Sequence, residues 1–143
     1  MEVERIRRYR DKINIILKRN EQINAWTSEY SAEDFLSDEK TMLATYKAFQ
    51  DIVEACMDMI AMLCKDRKVV PKDDYTNIEG LDFVDKELKR ALTEANGLRN
   101  RLVHRYNRMD DIIAFDGIKD LSSKVILFVE VVEEWIGKSL KEK

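Results

Sequence analysis

The stretch from about Asp38 to Arg67 most constrains the fold. Met42, Tyr46, Phe49, Val53, Cys56, Ile60 and Leu63 follow one another at alternating spacings of four and three. An α-helix turns once in about 3.6 residues, so this alternation lays the apolar side chains along one stripe. It is the seam of a helix packed nearly parallel or antiparallel to its neighbours. A stripe of that length needs other helices to cover it.

Those partners are legible elsewhere in the chain. A first helix is predicted from about Glu2 to Trp26, with Ile6, Tyr9, Ile13, Ile16, Leu17 and Ile23 at helical spacing. A third is predicted from near Leu81, carrying Leu81, Val84, Leu88, Ala91, Ala95, Leu98 and Leu102. The fourth spans about Asp110 to Leu140, with Ile118, Leu121, Val125, Phe128, Val132 and Trp135 on its stripe. Gly117 is expected to mark an irregular first turn of that helix. The chain holds four Gly and one Pro among 143 residues, so few positions interrupt a helix.

Two connections remain. Thr27–Ser37 is polar and turn-rich, and Ser37 or Asp38 can cap the helix that follows. Residues 68–80 contain Pro71, Asp73, Asp74, Asn77 and Gly80 and read as a loop with room for one short helix. The sum is an all-α chain, an antiparallel four-helix bundle with room for an extra short helix, forming a single domain over residues 1–143. The second and fourth helices are broadly apolar at residues 56–63 and 125–132. Such breadth predicts surface beyond the intramolecular core, hence a homodimer, unless both helices are simply central in the bundle.

Composition excludes several classes. No apolar run approaches the ~20 residues that cross a bilayer, and Met1–Arg8 lacks the apolar core of a secretion signal. The expectation is a soluble cytoplasmic protein with no membrane contact. Cys56 and Cys64 lie eight apart on one predicted helix, about 12 Å along its axis and too far for a disulfide. With two cysteines and one histidine, neither a structural zinc site nor any other metal is expected. Net charge is −3, which argues against a general polyanion binder. Yet residues 1–20 carry seven Lys/Arg against three acids, and residues 99–108 carry four Arg and no acid. These clusters are either solvated helix faces or patches that guide RNA to one groove.

The lone histidine falls in the second cluster. Arg99, Asn100, His104 and Tyr106 lie within eight residues. Cleaving RNA without a metal requires a base for the 2′-hydroxyl, an acid for the leaving oxygen and a cation for charge developing on phosphate. His104 suits the proton transfers and Arg99 the phosphate. Asn100 can orient either, and Tyr106 can contact the substrate. No cofactor is needed. On an unbroken helix Arg99 and Tyr106 would share a face, but His104 would point about 140° away from Arg99. Convergence therefore requires the helix to end near Val103, or a second protomer to complete the site. Gly97 just upstream could permit close helix approach.

Gly97–Tyr106 resembles the signature of HEPN-domain proteins, Arg-x(4–6)-His, in the extended Arg-x4-His-x-Tyr form of the HepT toxin family. The polar residue directly after the Arg is also typical, and here it is Asn100. Residues Ile52–Ile60 are similar to the family's second helix. The resemblance implies an all-helical dimer with its motifs facing across a cleft, acting as a metal-independent RNase toxin. It implies a cognate MNT-type nucleotidyltransferase antitoxin, which silences the toxin by adding AMP to the motif tyrosine, here Tyr106. A phosphate-bearing adduct there would crowd the cleft and set negative charge against RNA. A non-catalytic HEPN subunit that holds nucleotide for a nucleotidyltransferase is the alternative. A purely structural helical dimer is a third possibility.

Overall fold

The computed structural model describes residues 1–104 and 110–141. Among these residues there are six helices and no strand: α1 (Val3–Thr27), α2 (Ala32–Ser37), α3 (Glu39–Asp66), α4 (Asp74–Glu79), α5 (Lys86–Val103) and α6 (Asp111–Lys141). The four long helices are the four expected from the stripes, and α2 and α4 are short additions in the connections.

Alternating charge pairs fix the direction of α1 against α3. Arg5 pairs with Asp66, Lys12 with Asp58 and Arg19 with Asp51, at 3.0, 2.8 and 3.0 Å. Each partner on α3 retreats by about two turns as α1 advances by two, so the helices are antiparallel. Three of the seven basic residues of the N-terminal cluster thus hold α1 to α3, while Arg7, Arg8, Arg10 and Lys18 stay exposed. The α5–α6 pair is antiparallel as well. Leu88 and Ala91 share a groove with Leu127 and Val131, whereas Gly97 and Arg101 share one with Ile113 and Gly117.

The core runs the length of α3. Phe49, Ile52, Val53, Met59, Ile60 and Leu63 are at most 1% exposed, and α1, α2, α4 and α5 all pack on this helix. Its apolar breadth at residues 56–63 is therefore covered within the chain, as expected of a central helix. On α6 the breadth is only partly satisfied, since Leu127 remains 52% exposed.

Local chemistry sets the helix starts. Asp38 caps α3 by accepting the Thr41 N–H at 3.1 Å, as one of the two candidate caps anticipated. Ser31 and Asp34 form a reciprocal capping box that starts α2. This lets Phe35 enter the core, where it stacks on Phe115 with ring centroids 4.5 Å apart. The polar, turn-rich Thr27–Ser37 connection thus contains a short helix that its composition did not signal. Asp73 caps α4 in the same way.

Two expectations are corrected. The third long helix starts at Lys86, capped by Asp85, which accepts the Leu88 N–H at 2.7 Å. Leu81 and Val84 are buried, but from the non-helical segment ahead of it, where apolar side chains at helical spacing imitate a helix. Gly117 lies within regular α6 rather than at an irregular first turn. Asp110 opens that helix instead, accepting the Ile112 N–H at 2.9 Å.

Candidate functional site

The site is built at the C-terminal end of α5. That helix stops at Val103, and His104 is its C-cap, with φ −105° and ψ 49° and its N–H donated to Asn100 O at 3.2 Å. The His104 N–H thus makes the last i→i−4 bond of α5 and the helix ends there, one of the two arrangements that helical geometry allowed. Val103 and His104 are both exposed. Tyr106, Arg105 and Arg108 lie outside the described residues.

Arg99 is the opposite case. Its side chain is 14% exposed and its guanidinium is surrounded by acceptors. Nε donates to Asn100 Oδ1 at 2.9 Å, and Nη2 donates to Asn96 Oδ1 at 2.7 Å. Asp74 Oδ2 of α4 lies 3.5 Å from Nη2, and Glu54 Oε1 of α3 lies 3.6 Å from Nη1. A permanent charge this far from water is tolerated because amides satisfy its donors and carboxylates balance its charge. The structure thus brings Arg99 and Asn100 into direct contact and sets His104 at the helix end one turn beyond Asn100.

Three participants were missed in the sequence. Asn96 sits three residues before Arg99, a spacing that puts both on one helix face, so the i, i+3 rule could have found it. Glu54 and Asp74 carried no such signal, because α3 and α4 reach Arg99 only through tertiary packing. Gly97 does not mark a close approach. A Cβ there would meet Arg101 Nη1 at 3.8 Å and Tyr75 Oη at 3.9 Å, which are ordinary contacts. Beside it, Tyr75, Arg101, Ile113 and Gly117 help line a cavity of about 400 Å³ between α5 and α6.

A helix C-terminus carries partial negative charge and by itself disfavours an anion. Arg99 and Arg101, both in the last turns of α5, offset that charge, with Glu54 and Asp74 balancing Arg99. Among the described residues, no cluster of His, Cys, Asp and Glu could hold a metal ion. Chemically, the arrangement offers a fixed cation, a carboxamide pair and an imidazole at the helix end.

Comparison with known proteins adds the family context. A family described as Ribonuclease HepT-like matches residues 3–132. The "Putative RNase" of Archaeoglobus fulgidus is 39% identical over 89 residues, spanning 60% of this chain and 67% of that protein. The "tRNA nuclease HepT" of Aphanizomenon flos-aquae is 29% identical over 112 residues, 74% of this chain and 75% of that protein. The tri-AMPylated HEPN toxin of Shewanella oneidensis, solved in complex with MNT antitoxin, aligns with TM-score 0.82 at 20% identity. That alignment covers 94% of this chain and 99% of the toxin, a shared fold.

Proposed function

Because this chain belongs to the HepT-like ribonuclease family, we propose that it is a metal-independent endoribonuclease toxin working as a homodimer in the cytoplasm. The observation that carries the reading is the fixed Arg99 guanidinium, held by Asn100, one turn from an exposed histidine where α5 ends. In the proposed reaction the 2′-oxygen attacks phosphorus and the bond to the 5′-oxygen breaks, leaving a cyclic phosphate and a 5′-hydroxyl. His104 takes the 2′-hydroxyl proton or supplies the proton that the 5′-oxygen requires. Arg99 balances the charge gathering on the phosphoryl oxygens. A second protomer facing the first supplies the complementary imidazole. Its cognate partner is an MNT-type nucleotidyltransferase antitoxin, which silences the toxin by AMP addition to Tyr106.

Expression in bacteria tests the reading. Growth arrest by the wild type, relieved by His104→Ala, is expected. Purified wild type should cleave RNA in EDTA, and His104→Ala should be slower by about 100-fold or more. RNA left intact by the wild type, at a rate equal to that of His104→Ala, overturns the nuclease. Loss of cleavage in EDTA overturns the metal-free mechanism alone.

One observation favours a second reading. The Arg99 guanidinium already has four acceptors around it, as suits a structural anchor in a non-catalytic nucleotide-binding subunit of a nucleotidyltransferase. Nucleotide binding without RNA cleavage or toxicity would select that reading.

A further inference from the structure

Asn96 is 1% exposed, buried on α5 one turn before Arg99. Its contact with Arg99 Nη2, at 2.7 Å, is the shortest that this guanidinium makes. A guanidinium has one donor on Nε and two on each terminal nitrogen, in a rigid planar fork. The two amides divide that fork unevenly. Asn100 takes the Nε donor and Asn96 takes a donor of Nη2, so both grip the same side edge. The other edge, formed by Nη1 and Nη2, faces Glu54 and Asp74 among the described residues, at 3.6 and 3.5 Å. Those separations exceed the about 2.7–2.9 Å of a well-made charge-assisted bond. The side chains of Glu54 and Asp74 are also 50% and 39% exposed, so water can receive them when they swing aside.

We infer that Asn96 is a positioning residue for Arg99. With Asn100 it locks the side edge of the guanidinium, and the Nη1–Nη2 end, loosely countered by Glu54 and Asp74, is the edge that takes the substrate phosphate. This rests on the nuclease reading above for its substrate, though not for the orientation of Arg99. The preorganisation matters because a fork already aimed at the phosphate loses no orientation when charge develops there. Carboxylates that leave as phosphate arrives also keep the buried cation balanced in the empty site.

The test compares wild type, Asn96→Ala, Asn96→Asp, Arg99→Ala and the Asn96→Ala/Arg99→Ala double variant. Asn96→Ala should lower kcat by about 100-fold with KM changed only a few-fold, as expected for a misaimed group. Asn96→Asp keeps an acceptor at the same place and should recover most of that loss. The double variant should be no slower than Arg99→Ala alone, because Asn96 acts through Arg99. Guanidinium N–H signals of Arg99 give a readout that needs no activity. They should be separately resolved in the wild type, where rotation is hindered, and averaged in Asn96→Ala. If Asn96→Ala does not fold, Asn96→Leu fills the same volume without an acceptor and replaces it. Unchanged Arg99 signals in the alanine or leucine variant overturn the proposal, as does a full additional loss in the double variant. If wild type cleaves no RNA, the nuclease reading falls, and the Arg99 signals alone decide the role of Asn96.

Discussion

Leu98 and Gly117 mark a tight approach between α5 and α6: a Cβ on Gly117 would lie 3.1 Å from Leu98 Cδ2. Leu98 is 3% exposed and immediately precedes Arg99, so this contact sets the seat of the helix that carries the site. Replacing a helical glycine by alanine adds up to about 1 kcal/mol of helix propensity. Overpacking a filled core costs about 1–3 kcal/mol. At Gly117 the added methyl must push Leu98 Cδ2 aside by a few tenths of an ångström, so Gly117→Ala should melt below Gly137→Ala. At Gly137, also in α6, the added Cβ meets no side chain or neighbouring helix within 4 Å among the described residues, so Gly137→Ala should raise Tm by about 2–4 °C. Paired thermal melts check the order and the rise.

Lys68 adopts φ 62° just past the end of α3. The Val69 N–H donates to Cys64 O at 2.8 Å and the Lys68 N–H to Lys65 O at 3.0 Å, a Schellman closure. A side chain in this left-handed region costs about 1–2 kcal/mol. Glycine removes that strain but gives back about 0.5–1 kcal/mol through the freer unfolded chain. Lys68→Gly should therefore stabilise the fold by about 0.5–1 kcal/mol, read as a higher urea midpoint with an unchanged m value.

The cap of α3 predicts a response to acid. Tyr30 Oη donates to Asp38 at 2.6 Å, and this bond, with those from Thr41, holds the Asp38 carboxyl below its ordinary value of 3.8. A depressed folded-state pKa gives stability that is present above the unfolded value and lost as pH falls through the folded one. The Asp38 carbon signal should titrate below pH 3.8, and fraying of the first turn of α3 should follow it. Tyr30→Phe should move that midpoint upward toward 3.8. An unmoved midpoint would contradict the assignment.

Arg99→Lys and His104→Ala should separate stability from activity. Lysine keeps the charge but has no planar fork, and it cannot hold Asn96 and Asn100 together. Leaving buried Asn96 unsatisfied costs about 1–3 kcal/mol, so Arg99→Lys should lower Tm as well as cleavage. His104 is exposed, and His104→Ala should slow cleavage by about 100-fold or more while Tm stays within about 1 °C, as for most surface substitutions. Melting and RNA cleavage measured on the same preparations distinguish the two patterns.

The motif residues were legible because their partners lie close in the chain. Arg99 and Asn100 are adjacent, and the stop at Val103 was one of the two arrangements that helical angles allowed. Asn96 carried a weak signal at i, i+3 that the search for catalytic residue types passed over. Glu54 and Asp74 carried none, since half-exposed acids are common on any helix. The α2 helix was hidden by its length, because six residues are too few to display a period. Its Ser31–Asp34 box was the cue. The α5 start was misplaced because burial of Leu81 and Val84 imposes the same apolar spacing on a loop as on a helix.

By itself, then, the sequence determined the four long helices, though not where α5 starts, since periodicity acts over a few residues and a buried loop can share it. It also contained the Arg99–His104 spacing that points to phosphate chemistry. Only tertiary structure decided that α3 is central, that Arg5, Lys12 and Arg19 of the N-terminal basic cluster bind α1 to α3, and which edge of Arg99 the amides grip. Those outcomes depend on contacts between residues tens of positions apart, whose distances follow from the packing of whole helices rather than from any local pattern.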